Sequence, residues 1–151
     1  MRRRYWDSAT FLALLREEAG RVDKCRAVVG EAQAGSLVIV TSTLALAEVL
    51  MLRGSEPIPR SNAETVRRFF RNRWIVVYEL DRTLAERAQD VVWDHGIAPK
   101  DAVHVATALD AEVEQLDTFD GSLTGKSGTI GDPPLRIAEP GIEGSLFNPS
   151  A

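Results

Sequence analysis

The pattern of apolar and polar positions divides the chain into short strands and longer helices. Leu37-Val-Ile-Val-Thr41 is β-branched and apolar without a break, which predicts a strand buried on both faces. Trp74-Ile-Val-Val-Tyr78 repeats that pattern. Tyr5-Trp6 forms a shorter aromatic run ending at Asp7-Ser8, Val113 to Thr118 a weaker strand broken by charges, and Leu135 to Ala138 a last short one. Between them the apolar period lengthens to that of helices at Ala9–Glu18, Val22–Ala34, Asn62–Arg71, Thr83–His95 and Asp101–Ala111. Pro57 and Pro59 make 54–60 a loop. This alternation predicts an α/β domain whose central, mostly parallel sheet of four to five strands is flanked by helices on both faces. From Glu139 onward Pro, Gly, Ser and Asn dominate, so the domain is expected over 1–138 and an irregular tail over 139–151.

One segment departs from the usual division into an apolar and a polar face. Thr43 to Leu52 reads Thr-Leu-Ala-Leu-Ala-Glu-Val-Leu-Met-Leu, part of a predicted helix over 43–53, with no polar face for its single glutamate, Glu48. Burying an unpaired carboxylate costs on the order of several kcal/mol even after relaxation. Its partner must therefore be a lysine or arginine, a proton, or a metal ion.

Three aspartates share the expected location of Glu48. Asp7 ends the first strand, Asp101 opens a helix behind Pro99, and Asp120 follows the strand that closes at Thr118. All lie at strand ends or in the first turns of a following helix, where parallel α/β sheets bind ligands. Singly, each has an ordinary account: Asp7 as a helix cap, Asp101 as a partner of the helix dipole, Asp120-Gly121 as a turn. An arginine ion pair is the competing account of Glu48. One shared site is more economical, and clustered carboxylates then need a compensating charge. Oxygen ligands with no thiol or imidazole pattern nearby favour a hard cation, Mg²⁺ or Mn²⁺.

Four motifs then appear in a telling order: Tyr5-Trp-Asp-Ser8, Ser42-Thr-Leu-Ala-Leu-Ala-Glu-Val-Leu50, Ile97-Ala-Pro-Lys-Asp-Ala-Val-His-Val-Ala-Thr-Ala-Leu109 and Leu116-Asp-Thr-Phe-Asp120. Together they resemble the PIN-domain nucleases, especially the small bacterial toxins of the VapC type. The stretch Pro99 to Leu109 is the most specific piece, and the resemblance spans Asp7 to Asp120. It implies a PIN-like fold and a metal-dependent endoribonuclease that cleaves RNA phosphodiester bonds with Mg²⁺ (or Mn²⁺). It also implies a small antitoxin as partner in a type II toxin–antitoxin pair, and homodimers are common in the family. Carried over by position, the family's metal-binding acids fall on Asp7, Glu48, Asp101 and Asp120, and Thr118 matches the hydroxyl residue ahead of the last acid. Asp117 stands where the family is usually apolar, and the threonine-x-aspartate spacing selects Asp120 instead. The segment 121–134 is longer and richer in glycine than the family pattern. Two alternatives remain: a PIN-like module that binds RNA or protein without cleaving, and a nuclease of RNA processing outside any toxin–antitoxin pair.

Composition narrows the classes further. A chain of 151 residues, 44% apolar and 26% charged, fits one globular domain. A net charge of -4 argues against bulk attraction to nucleic acid but leaves room for a local basic patch. Arg67, Arg68, Arg71 and Arg73, interleaved with Phe69, Phe70 and Trp74, are the candidate patch, and a solvated arginine face is the simpler account. Arg2 to Arg4 read likewise as a solvated end. The lone Cys25 and two histidines exclude an intramolecular disulfide and a Cys/His zinc site, and suit a reducing cytoplasm. No apolar run follows the basic start or approaches a membrane span, so a cytoplasmic protein without a membrane partner is expected. His104, three residues after Asp101, reads as a hydrogen-bonded core histidine rather than a general base, and His95 as a helix cap. Gly121 to Gly128 hints at a phosphate loop, but Gly121 and Gly125 stand one residue too close for it.

Overall fold

Tyr5 and Trp6 are adjacent in sequence and both fully buried, yet they belong to different cores. Strand side chains alternate between faces, and here both faces of the sheet are covered. The computed structural model describes residues 1–51, 54 and 56–143. Its elements run β1 (Arg2–Trp6), α1 (Ser8–Leu15), α2 (Val22–Gln33), β2 (Leu37–Ser42), α3 (Thr43–Glu48), a 3₁₀ turn (Arg60–Asn62), α4 (Ala63–Phe70), β3 (Ile75–Tyr78), α5 (Arg82–His95), α6 (Pro99–Asp110), β4 (Gln115–Asp117), α7 (Gly121–Thr124) and β5 (Ile137–Ala138).

The 5-stranded sheet has the order β3-β2-β1-β4-β5, and every neighbouring pair is parallel, as the alternation of strands and helices predicts. The chain steps outward from β1 to β2 and β3, then returns to the other side of β1 for β4 and β5. The switch in direction therefore lies between β1 and β4, where Trp6 stands opposite Asp117. In open α/β sheets this crevice is the preferred ligand position. Helices α5 and α6 pack one face over Tyr5, Val40 and Leu116. The other face buries Trp6, Leu37 and Ile39 beneath Phe11, Cys25, Val28 and Phe70.

Strand β1 begins at Arg2; Arg2 and Arg3 stay exposed, as a solvated end would be, and Arg4 departs from that expectation. Arg4 is buried, because the guanidinium meets Asp117 Oδ1 at 2.8 Å. Its partner lies far along the chain, in β4, beyond the reach of any local pattern. Helix α3 stops at Glu48, well short of the predicted 43–53, of which 52 and 53 lie outside the described residues. Leu46, Leu50 and Met51 are exposed while Glu48 turns inward, the reverse of what an apolar helix suggests. Within 121–134 a short helix, α7, opens on an Asp120 cap. The start of the expected tail is tied to the domain: Lys24 pairs with Glu139 at 2.9 Å, and Arg4 Nη2 donates to the Gly141 carbonyl at 2.9 Å. Residues 144–151 lie outside the described part.

Candidate functional site

The site is assembled at the carboxyl ends of β1 and β4. Asp7 leaves β1 and caps α1: its Oδ1 accepts from the Thr10 backbone N–H at 3.0 Å and the Thr10 hydroxyl at 2.7 Å. Its Oδ2 accepts from the Thr118 hydroxyl at 2.6 Å. Thr118 Oγ1 in turn accepts the backbone N–H of Asp120 at 3.1 Å. One hydroxyl thus clamps the ends of two neighbouring strands and sets Asp120 beside Asp7. Asp120 itself caps α7, its Oδ1 accepting from the Ser122 N–H at 2.9 Å and hydroxyl at 2.7 Å. The ordinary capping accounts of Asp7 and Asp120 are therefore real, and they also fix where both carboxylates stand.

Glu48 enters from the end of α3. Ser8 Oγ donates to its Oε1 at 2.7 Å, and His104 Nε2 lies 2.8 Å from the same oxygen. Burial alone would raise this carboxyl, but the bonds from His104 and Ser8, with the fields of His104 and Lys100, hold it below the usual carboxylate range. The partner expected for Glu48 is thus in part a histidine, which composition alone did not nominate.

Asp101 differs from the rest. It lies in the first turn of α6 behind Pro99, and among the described residues its side chain takes no hydrogen bond or salt bridge. Burial pushes its carboxyl above the usual range, and the carboxylates of Asp120, Asp7 and Glu48 push further, with His104 opposing. Asp120, Asp7 and Glu48 thus all lie within electrostatic reach of Asp101. Among the described residues, however, no group of three or more His, Cys, Asp or Glu side chains stands ready to hold a metal ion. The four carboxylates offer oxygen donors, the kind a hard cation takes, and Asp101 is half-buried with no hydrogen-bond donor to its side chain among the described residues.

Asp117 has a different task. It is fully buried on the other face of the sheet, where it accepts from Arg4, Gln115 and Trp6, each at 2.8 Å. Burial pushes its carboxyl up to about 6 against the opposing pull of Arg4. Asp120 is left as the acid of this segment that couples to Asp101.

Sequence reasoning missed Ser8, Tyr5 and Lys100. Ser8 directly follows Asp7, and Lys100 directly precedes Asp101, so adjacency to a candidate acid was the available signal. The arginine-rich helix α4 divides as an amphipathic helix should. Phe69 and Phe70 stack edge-on with Phe11 and with each other, which removes them from any base-stacking role. Arg67 and Arg71 instead border a groove of about 840 Å³ walled by Leu46, Leu50, Ile58 and Val66. No helix among the described residues is long and apolar enough to cross a membrane.

Comparison with solved structures finds the same fold at low identity. VapC20 of Mycobacterium tuberculosis, a sarcin–ricin loop cleaving toxin, superposes with a TM-score of 0.62 at 18% identity, covering 81% of this chain and 93% of its own. A toxin–antitoxin complex from Klebsiella pneumoniae gives 0.60 at 17% identity, with 84% and 95% covered. FitAB bound to a DNA fragment gives 0.51 at 17% identity, with 79% and 86% covered. No curated protein matches the chain by sequence. Residues 4–125 match the PIN domain family, a span that runs from within β1 past β4 and includes Asp7, Glu48, Asp101 and Asp120, and the chain belongs to that family.

Proposed function

We propose that this protein is a metal-dependent endoribonuclease, the toxin of a type II toxin–antitoxin pair, acting in the cytoplasm. The observation that carries the reading is the hydrogen-bonded clamp of Asp7, Thr118 and Asp120 at the carboxyl ends of β1 and β4, the switch point of a PIN sheet, with Asp120, Asp7 and Glu48 acting electrostatically on Asp101. Asp7, Glu48, Asp101 and Asp120 would hold the ion, and when bound Mg²⁺ or Mn²⁺ supplies positive charge for water activation and for the phosphate oxygens. Thr118 fixes Asp7 by donating to its Oδ2, and Ser8 fixes Glu48 by donating to its Oε1. Lys100, exposed beside Glu48, offers a charge for an RNA phosphate. The antitoxin has a seat in the apolar groove, whose arginine border favours an amphipathic helix carrying acidic residues. Two of the solved relatives are cleaving or antitoxin-bound toxins, which supports the pairing.

The second reading, a PIN module that binds without cleaving, draws on the lack of a ready-made metal group among the described residues. Metal linkage separates the two. At ten times its dissociation constant, an ion that binds only the folded site stabilises it by about 1.4 kcal/mol, or roughly 3–6 °C in melting temperature. Mg²⁺ or Mn²⁺ should produce that rise in the wild type and none in Asp7→Asn or Asp101→Asn. An equal rise in all three proteins places the ion elsewhere.

A further inference from the structure

His104 is the member of the Pro99–Leu109 motif that a set of acidic metal ligands leaves without a task. Its side chain is 3% exposed and meets the Tyr5 hydroxyl on one side and Glu48 on the other, with the Ser8 hydroxyl 3.5 Å from Nε2. Nδ1 lies 2.6 Å from the Tyr5 hydroxyl, and Nε2 lies 2.8 Å from Glu48 Oε1. A neutral imidazole carries one N–H, and a bare Nε2 lone pair facing a carboxylate would repel it. Nε2 therefore carries a proton toward Glu48, and in the neutral ring Nδ1 accepts from Tyr5. Tyr5 is wholly buried in β1, next to Trp6 and Asp7, so the chain of bonds runs from the sheet core to the crevice.

We infer that His104 is a positioning residue: with its proton pinned on Nε2 by Tyr5, it holds Glu48 at one oxygen in the orientation that receives the metal ion. The inference rests on the metal-site reading above. Ser8 donates to the same Oε1, so these two bonds leave Oε2 out of their grip. Hydrogen bonds behind a ligating carboxylate set its direction, and losing such a bond commonly weakens metal binding by about 10- to 100-fold.

Two substitutions divide the imidazole between its partners. His104→Asn places an amide near the position of Nδ1, where it meets Tyr5 but falls short of Glu48. His104→Gln reaches the position of Nε2 and can donate to Glu48. The readout is the midpoint of an isothermal Mg²⁺ binding titration of the folded protein, with the metal-free melting temperature as each variant's baseline and its rise in Mg²⁺ measured alongside. A purely structural histidine would lower the baseline and leave that midpoint in place. The midpoint should rise by about tenfold or more in His104→Asn and stay within about threefold of wild type in His104→Gln. Tyr5→Phe, which keeps the ring and removes the hydroxyl, should raise it too, and carries the comparison should His104→Asn fail to fold. A wild type that gains from Mg²⁺ beside variants with unchanged midpoints overturns the inference and spares the metal site. A wild type that gains nothing overturns both.

Discussion

Asp101→Asn is expected to lose cleavage by on the order of a thousandfold while its metal-free form melts roughly 1–3 °C higher than wild type near neutral pH. The two effects share one cause. In the metal-free protein Asp101 is half-buried, lacks a hydrogen-bond donor among the described residues, and feels Asp120, Asp7 and Glu48. Its ionised form is disfavoured, so its folded-state carboxyl titrates above the ordinary value of 3.8. A raised carboxyl binds more protons folded than unfolded, and the stability it contributes falls as pH rises from the unfolded value through the folded one. The advantage of Asp101→Asn should therefore be absent in acid, grow through that window and level off above it. With an ion in place the same charge becomes an asset, and the amide a loss. Glu48→Gln should not share the stability gain, because His104 and Ser8 already hold that carboxylate below the usual range. Thermal melts across pH, paired with cleavage rates at saturating Mg²⁺, check both halves. A variant both less stable and fully active would contradict this account of Asp101.

Asp117→Leu should destabilise the protein by about 3–5 kcal/mol, although it lies three residues from a proposed ligand. The removed carboxylate satisfies Arg4, Gln115 and Trp6 in a site with no solvent access. Arg4 would then be a buried charge whose remaining bond is to the Gly141 carbonyl, with Glu114 at 3.9 Å. The pair itself contributes little net stability, since burial lifts the Asp117 carboxyl to about 6 despite Arg4. Replacing both partners, Arg4→Met with Asp117→Leu, should thus recover about half of the loss or more. Urea denaturation midpoints measure both effects. A well-folded single variant that has lost only activity would move Asp117 into the crevice.

Much of the fold was legible because its signals are local. The apolar run at Leu37–Thr41 lies in β2 and that at Trp74–Tyr78 in β3 but for its first residue, both parallel strands, and the helices at 22–34 and 83–95 lie within a residue of where their periods end. What was hidden depends on contacts across the sheet. Arg4 looked like a solvated charge because its partner sits in β4. Glu48 looked enclosed by its own helix, whereas Leu46 and Leu50 face outward and the enclosure comes from α1 and α6. His104 was legible as a buried, hydrogen-bonded histidine, but its acceptor could not be read from a helix period. Asp7 and Asp120 were visible as strand-end acids; the Thr118 clamp between them is a property of the β1–β4 register.

The most direct measurement is the mapping of RNA ends after incubating purified protein with single-stranded RNA, with Mg²⁺ or with a chelator. The proposed site predicts internal cuts that need the metal and vanish in Asp101→Asn. Cuts that persist in the chelator, or that Asp101→Asn makes at the wild-type rate, would contradict it.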